Sequence, residues 1–290
     1  MYTIITDSCC DLNPNIIGQY EALDIVPMCY TIGGETTPQP IDDEAAVRAY
    51  YARLRAGEVS TTSQVSPAEW QERFEAHIQN GEQVLCLVFS SGLSGTCASA
   101  FLARDMVLET YPDAVIEVVD TLNASAGQGL MVYDALCNRA AGMDVHENAA
   151  WMREHTQHYA AWFTVDDLMF LKRGGRCSPS AAFFGSMLSI KPVLHVNAEG
   201  KLIARSKVRG RQQALRALVQ KAAELEADKD QIIFISHGDC EEDAMMVKQR
   251  LVEKMGCDPE KIIISMIGPV IGSHSGPGTV ALFFRGKDRG

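Results

Sequence analysis

Hydrophobic positions in the first half of the chain fall in short β-branched runs separated by stretches of helical spacing. That is the pattern of strand-helix-strand units around a largely parallel sheet. Residues 3–6, 25–30, 83–89 and 114–119 read as strands. Between them, Asp11-Leu12-Asn13-Pro14 sets a capping side chain ahead of a proline and predicts a helix over residues 14–20. Ile32-Gly33-Gly34-Glu35 marks a turn, and Asp42-Asp43-Glu44 opens a helix with acids in its first turn, where they complement the dipole. Ser66-Pro67 repeats the cap-plus-proline start for a helix ending near Gly81. Helices over residues 124–141 and 145–156 lead to Trp162-Phe163-Thr164, where the first domain is expected to end.

The second half begins with a helix over residues 166–172, a break at Gly174-Gly175, a small-residue helix from Pro179 and a strand at 192–196. Asn197-Ala198-Glu199-Gly200 is a hairpin signal, so pairing turns antiparallel there. A helix over 212–227, strand 231–236, helix 241–255, strand 261–267, a glycine-rich loop and a last strand at 280–284 follow. The expected fold class is α/β in two domains. Residues 1–161 would form a mostly parallel, Rossmann-like sheet with helices, and residues 162–290 an α/β domain with a mixed or antiparallel sheet.

Composition narrows the function classes. With 290 residues, 47% of them hydrophobic, and a net charge of −11, the chain has the balance of an ordinary globular protein. Apolar runs such as 84–89 and 261–267 fall far short of the roughly 20 residues of a membrane span, so no integral membrane insertion is expected. The N-terminus reads at once as a strand and has no secretory signal pattern, which predicts a cytoplasmic location. Nine cysteines, an odd number with no Cys-x-x-Cys spacing and an adjacent Cys9-Cys10, predict reduced and mostly buried thiols. The acidic balance argues against general nucleic-acid binding. One segment departs from it: residues 168–223 hold eleven Lys and Arg against Glu199 alone. It reads either as a surface for an acidic partner or phosphate, or as cations paired with the acidic first domain. Arg209-Gly210-Arg211 opposes the dipole of the helix it opens, which favours a role other than stability.

Three polar segments carry candidate chemistry. Phe89-Ser90-Ser91-Gly92-Leu93-Ser94-Gly95-Thr96 follows a buried strand and opens a helix, where hydroxyls and backbone N–H groups would cradle a carboxylate or phosphate. Ser94 would equally serve as a plain cap, or as a nucleophile, although the full G-x-S-x-G spacing is missing. Ser60-Thr61-Thr62-Ser63-Gln64 is most simply an exposed polar loop. Gly268 to Gly278 surrounds His274 with glycines and hydroxyls, giving an imidazole that can donate to an anionic oxygen or move a proton, or one that is merely solvated. His155 and His158 lack companion ligands, and no His-Glu-x-x-His, zinc-ribbon or Walker pattern occurs, so no metal or nucleotide cofactor is expected.

Asp166-Asp167-Leu168 through Lys172-Arg173-Gly174-Gly175-Arg176, then Ile190-Lys191-Pro192-Val193-Leu194, Glu199-Gly200-Lys201 and Val208-Arg209-Gly210-Arg211, resemble the signature of the DegV family of bacterial fatty-acid-binding proteins. Residues 3–12, Thr62-Ser63-Gln64, residues 90–96 and residues 268–278 resemble its other blocks in the same order, so the resemblance spans the chain. It implies two α/β domains with one long-chain fatty acid, such as palmitate, buried at their junction. It also implies a non-catalytic role as the acyl-carrying subunit of a fatty acid kinase, whose separate ATP-binding subunit phosphorylates the bound carboxylate. By the same resemblance Thr62 and Ser94 match the hydroxyls that hold the carboxylate, and His274 the histidine beside it. Arg176 and Arg209 match arginines that engage the kinase subunit or its phosphates. Cys9-Cys10 and Cys177 depart from the small, hydroxyl or aliphatic residues usual there.

Physical reasoning agrees with hydroxyls at the head group. A carboxylate that is to be phosphorylated must be oriented yet keep an accessible oxygen, and a buried cation left unpaired when the charge changes is costly. Affinity would come from the tail: at about 0.8 kcal/mol per buried methylene, roughly 14 methylenes set an upper bound near 11 kcal/mol before ordering costs. Phe183-Phe184 and Met187-Leu188 would line such a tunnel or serve as ordinary core. Two rivals remain at this stage: a serine esterase using Ser94, His274 and Asp7 or Asp120, and a DNA-binding regulator using the basic segment, which lacks a clear recognition motif.

Overall fold

The computed structural model describes residues 1–19, 21–177 and 190–290, so the expected helix from Pro179 and the pairs Phe183-Phe184 and Met187-Leu188 lie outside the described residues. The first half runs β1 (Tyr2–Asp7), α1 (Pro14–Ile17), β2 (Leu23–Val26), β3 (Cys29–Ile32), β4 (Glu35–Pro38), α2 (Glu44–Arg55) and β5 (Ser60–Ser63). It continues through α3 (Pro67–Gln79), β6 (Gln83–Val88), α4 (Thr96–Thr110), β7 (Ile116–Asp120), α5 (Ala126–Ala140) and α6 (Val145–His155). Strands β2, β1, β6 and β7 form, in that order, an all-parallel sheet. Successive residues of β1 enter opposite cores, Ile4 one and Ile5 the other, as a strand covered on both faces must.

The local signals hold where capping is strong. Helix α3 starts with a reciprocal capping box between Ser66 and Glu69, and Asp43 accepts the Ala46 N–H at 2.9 Å to start α2. They fail in three places. The single strand expected over residues 25–30 is two strands in two sheets, because Pro27 lacks the N–H that a continuous strand would donate. Residues 60–63, expected as a loop, form edge strand β5 against β3 in a small antiparallel sheet of order β4-β3-β5. The helix expected over residues 14–20 is only Pro14–Ile17, and Asp11 ahead of it takes a left-handed backbone (φ 43°) with its carboxylate reaching elsewhere.

The second half runs β8 (Tyr159–Thr164), α7 (Leu168–Gly174), β9 (Ile190–Val196), β10 (Leu202–Arg209), α8 (Arg211–Glu224), β11 (Ile233–His237), α9 (Glu241–Met255), β12 (Ile262–Met266), α10 (Pro269–Ser275) and β13 (Val280–Arg285). Its strands form a mixed sheet of order β10-β9-β8-β13-β11-β12, in which β11 and β12 alone are parallel. Strand β8, which crosses residue 162, lies wholly in this sheet. The glycine-rich segment expected as a loop contains α10, started by Pro269 as first helical residue after Gly268.

Helix α5 lies between the two sheets. Its buried residues Leu130 and Met131 share one core with Ile4, Leu85 and Leu87 of the parallel sheet and Phe163, Phe234 and Phe283 of the mixed sheet. The outer face of the first sheet is covered by Trp70 and Phe74 of α3 and Ala100 and Ala103 of α4, that of the second by Leu215 and Leu218 of α8 and Val247 and Leu251 of α9. A helix covered on both sides must be apolar nearly all round, and α5 is. Gly129 is required there, since a Cβ would stand 2.5 Å from the Cys10 carbonyl oxygen.

Candidate functional site

Between the sheets, beside α5, lies a cavity of about 400 Å³, within the range of roughly 300–1,000 Å³ usual for small-molecule sites. Its interior is mostly apolar: Phe89, Ala161, Phe163, Val196, Ala281 and Phe283 line it and are buried, with the buried hydroxyls of Ser125, Ser275 and Thr279 among them. Its polar residues Thr62, Ser94 and His274 are only partly buried, and Gln64 and Arg176 are exposed. One end is therefore wet and hydrogen-bonding, while the other is dry.

Long-range contacts build the polar end. Helix α10 docks on the first half through Ser273, whose hydroxyl is 2.8 Å from both Tyr50 Oη and Ser60 Oγ. Gln39 clamps the start of the same helix: it accepts from Val270 N at 2.8 Å and donates to Ser8 O at 2.6 Å. This docking sets His274 Nε2 at 2.9 Å from Thr62 Oγ1 on β5. The other ring nitrogen, Nδ1, has no partner and packs against Gly174, where a Cβ would approach it to 2.2 Å. Burial, with a smaller contribution from the Arg176 charge, pushes the His274 pKa down to about 4, so the imidazole is neutral at physiological pH.

Ser94 lies in the loop between β6 and α4. Its hydroxyl is 2.9 Å from Thr96 Oγ1 and accepts the Thr96 N–H at 3.2 Å, so it braces the helix start while its residue lines the cavity. Arg176 donates to Gly174 O at 2.6 Å and to Leu93 O at 3.2 Å, which holds its exposed guanidinium at the cavity mouth beside Ser94. Arg209 is elsewhere. It ends β10, whose first residue Leu202 lines the cavity, and does not itself line it. Thr62, Ser94, His274 and Arg176 are thus brought together, and Arg209 is left apart.

Sequence reasoning missed the buried carboxylate of Asp11 behind the cavity and named Asp7 only for the esterase reading. Asp11 accepts from Ser125 Oγ at 2.6 Å and from Gly268 N at 2.9 Å, tying α10 to α5, and Ser125 itself lines the cavity. Desolvation raises the Asp11 pKa to about 7. It raises that of Asp7 to about 6, although Cys9 N, Phe89 N and the Gln128 amide all donate to that carboxylate. The only local signal was two aspartates in a nearly unbroken apolar segment. None of the nine cysteines is in a disulfide; Cys9 stands 3.2 Å behind the sulfur of Met28, a wall residue, and burial pushes both the Cys9 and Cys10 thiols well up.

An esterase arrangement is not formed. Ser94 bonds Thr96 rather than His274, no carboxylate reaches His274 Nδ1, and the carboxylates of Asp7 and Asp120 accept backbone N–H groups. Among the described residues the ion pairs of Lys191 with Asp166 and Arg211 with Asp243 keep these cations of the basic segment within the second half, although Arg176 donates to the Leu93 carbonyl of the first. Among the described residues no cluster of three or more metal-binding side chains occurs, and no helix is long and apolar enough to cross a membrane.

The fold and site define an α/β protein whose two larger sheets enclose an amphipathic cavity. Residues 1–287 match the family model described as uncharacterised protein, DegV family, and the chain belongs to the DegV family. It is similar to a DegV domain-containing protein of Clostridium perfringens, with 42% identity over 99% of this chain and 98% of the other. Among solved structures it is similar to a DegV family protein from Thermus thermophilus described for its fatty acid binding, with a TM-score of 0.87, 30% identity and coverage of 98% and 99%. A DegV lipid-binding protein from Thermotoga maritima has a TM-score of 0.84, 30% identity and full coverage of both chains.

Proposed function

We propose that this protein carries one long-chain fatty acid and presents its carboxylate to a separate ATP-binding kinase subunit, which converts it to the acyl phosphate. The alkyl chain occupies the apolar interior between the sheets, and the carboxylate sits at the Thr62, Ser94 and His274 end. The observation that carries this reading is the division of the cavity into a buried apolar interior and a hydroxyl-lined, partly open end. The fatty-acid-binding relatives support it.

The chemistry follows from the charge states. Two hydroxyls and a neutral imidazole orient a carboxylate by hydrogen bonds without burying a cation, so the ligand's charge change on phosphorylation strands nothing. Arg176 at the mouth meets the incoming phosphate from the solvent side, where its guanidinium suits phosphate oxygens. Arg209 belongs to a separate part of the kinase-facing surface. In this reading the protein supplies no catalytic group of its own, needs no metal or cofactor, and works in the cytoplasm on an acid of palmitate length.

Mass spectrometry of lipids extracted from the purified, undialysed protein tests the carrier reading. One equivalent of fatty acid is expected. An empty extract, together with failure to take up added palmitate, would overturn it.

A further inference from the structure

The fatty-acid reading leaves a second cavity unused. Asp11, whose hydrogen-bond partner Ser125 lines the first cavity, lines another of about 350 Å³ between the α2 side of the first half and the β12 and α9 side of the second. Its character is opposite to that of the first. Asp42, Asp43, Glu44 and Glu241 stand around it with a single ammonium, Lys248, which already donates to Ile262 O at 2.9 Å. The nearest guanidinium, Arg48, is divided among Glu44, Asp239 and Glu241. Carboxylates outnumber cations here, whereas Arg176 makes the first mouth basic.

Two further observations separate this place from an ordinary acidic surface. Ser265 on its wall is only 8% exposed, and its hydroxyl has no hydrogen-bond partner among the described residues, a costly state for a buried group that a ligand would relieve. Ile41 and Met245, also on the wall, are 36% and 50% exposed, while Ile25, Ile264 and Met266 add apolar surface within. Apolar walls, an unsatisfied hydroxyl and an acidic surround call for one kind of molecule. We propose that this cavity binds a small aliphatic amine with a polar group at its far end, an amino alcohol, its ammonium among Asp42 and Glu241 and its hydroxyl paired with Ser265.

The methionines permit a direct test, since Met245 and Met266 line this cavity and Met28 lines the first. Protein labelled with methyl-13C methionine is titrated with 6-aminohexan-1-ol and followed by NMR. The Met245 and Met266 methyl resonances are expected to shift saturably while Met28 stays in place. 6-Hydroxyhexanoate, with a carboxylate in place of the ammonium, should leave all three unmoved. Asp42→Asn with Glu241→Gln should weaken binding about tenfold, and Ser265→Ala should weaken the amino alcohol but not hexylamine. Equal shifts with the carboxylate analogue, a response confined to Met28, or no saturable response would each overturn the proposal; none of these controls depends on a variant folding. Since the ligand, probe and reporters differ from those of the first cavity, absence of a bound fatty acid would leave this assignment standing.

Discussion

Thr62 and His274 stand 2.9 Å apart, side chain to side chain, although 212 residues separate them in the chain. One is carried by an edge strand of the first half and the other by a short helix of the second, so the polar end of the cavity exists only once the two halves are docked. Docking and ligand binding are therefore coupled, and variants that loosen either should report on the other.

Removing the head-group hydroxyls tests the site. Hydrogen bonds to a charged group contribute about 1.5–3 kcal/mol each, so Thr62→Ala with Ser94→Ala should raise the Kd for palmitate by roughly a hundredfold or more in titration calorimetry. Thr62→Ser should retain most of the affinity. Unchanged binding in the double variant would remove these residues from the site.

Gly174→Ala should act through its neighbour. The added methyl meets His274 Nδ1, so palmitate affinity should fall by about tenfold while thermal stability changes little. A large loss of stability with intact affinity would show that Gly174 matters to the fold rather than to the imidazole.

Asp11 makes stability depend on pH. Its carboxyl titrates near 7 in the folded chain and near 3.9 when unfolded. The protonated folded form is thus favoured at low pH, and its contribution to stability is lost as pH rises from about 4 to 7. His274, held neutral down to about 4, works in the opposite direction over the same range. The informative quantity is therefore the difference between wild type and Asp11→Asn in urea denaturation. The variant, which keeps one acceptor oxygen, replaces the other by an NH2 donor and cannot ionise, should gain relative stability from pH 4 to 7. A constant difference would mean that Asp11 does not titrate there.

Charge reversal separates carrying from presenting. Arg209→Glu, outside the cavity lining, should leave palmitate binding intact and abolish acyl-phosphate formation with the kinase subunit. Loss of both would make Arg209 a structural residue.

Leu130 of α5 is 1% exposed in the layer shared by both sheets. Leu130→Ala should cost about 2–5 kcal/mol in urea denaturation, as truncations in packed cores do. A smaller loss would show that this layer is loosely packed or able to collapse.

What the sequence by itself determined were the features written within a few residues of one another. Helix α9 spans the residues that its spacing predicts, α3 begins at its capping box, and β6 follows its apolar run to within one residue. Those signals are local because caps and periodicity act within one or two turns. The blocks that resemble the DegV family also named Thr62, Ser94, His274 and Arg176, although nothing local said that they would meet. Tertiary structure alone decided that polar residues 60–63 are a strand, since an edge strand is held by its partner's backbone and needs no apolar pattern of its own. It decided too that the glycine-rich segment coils into α10, through the Gln39 and Tyr50 contacts from the other half. Asp11 shows the division most plainly: nothing in its sequence neighbours points to the junction, yet its carboxylate joins Gly268 and Ser125 there. Burial set that choice, because the Gly268 N–H, enclosed at the junction, needed an acceptor that only the folded chain could bring to it.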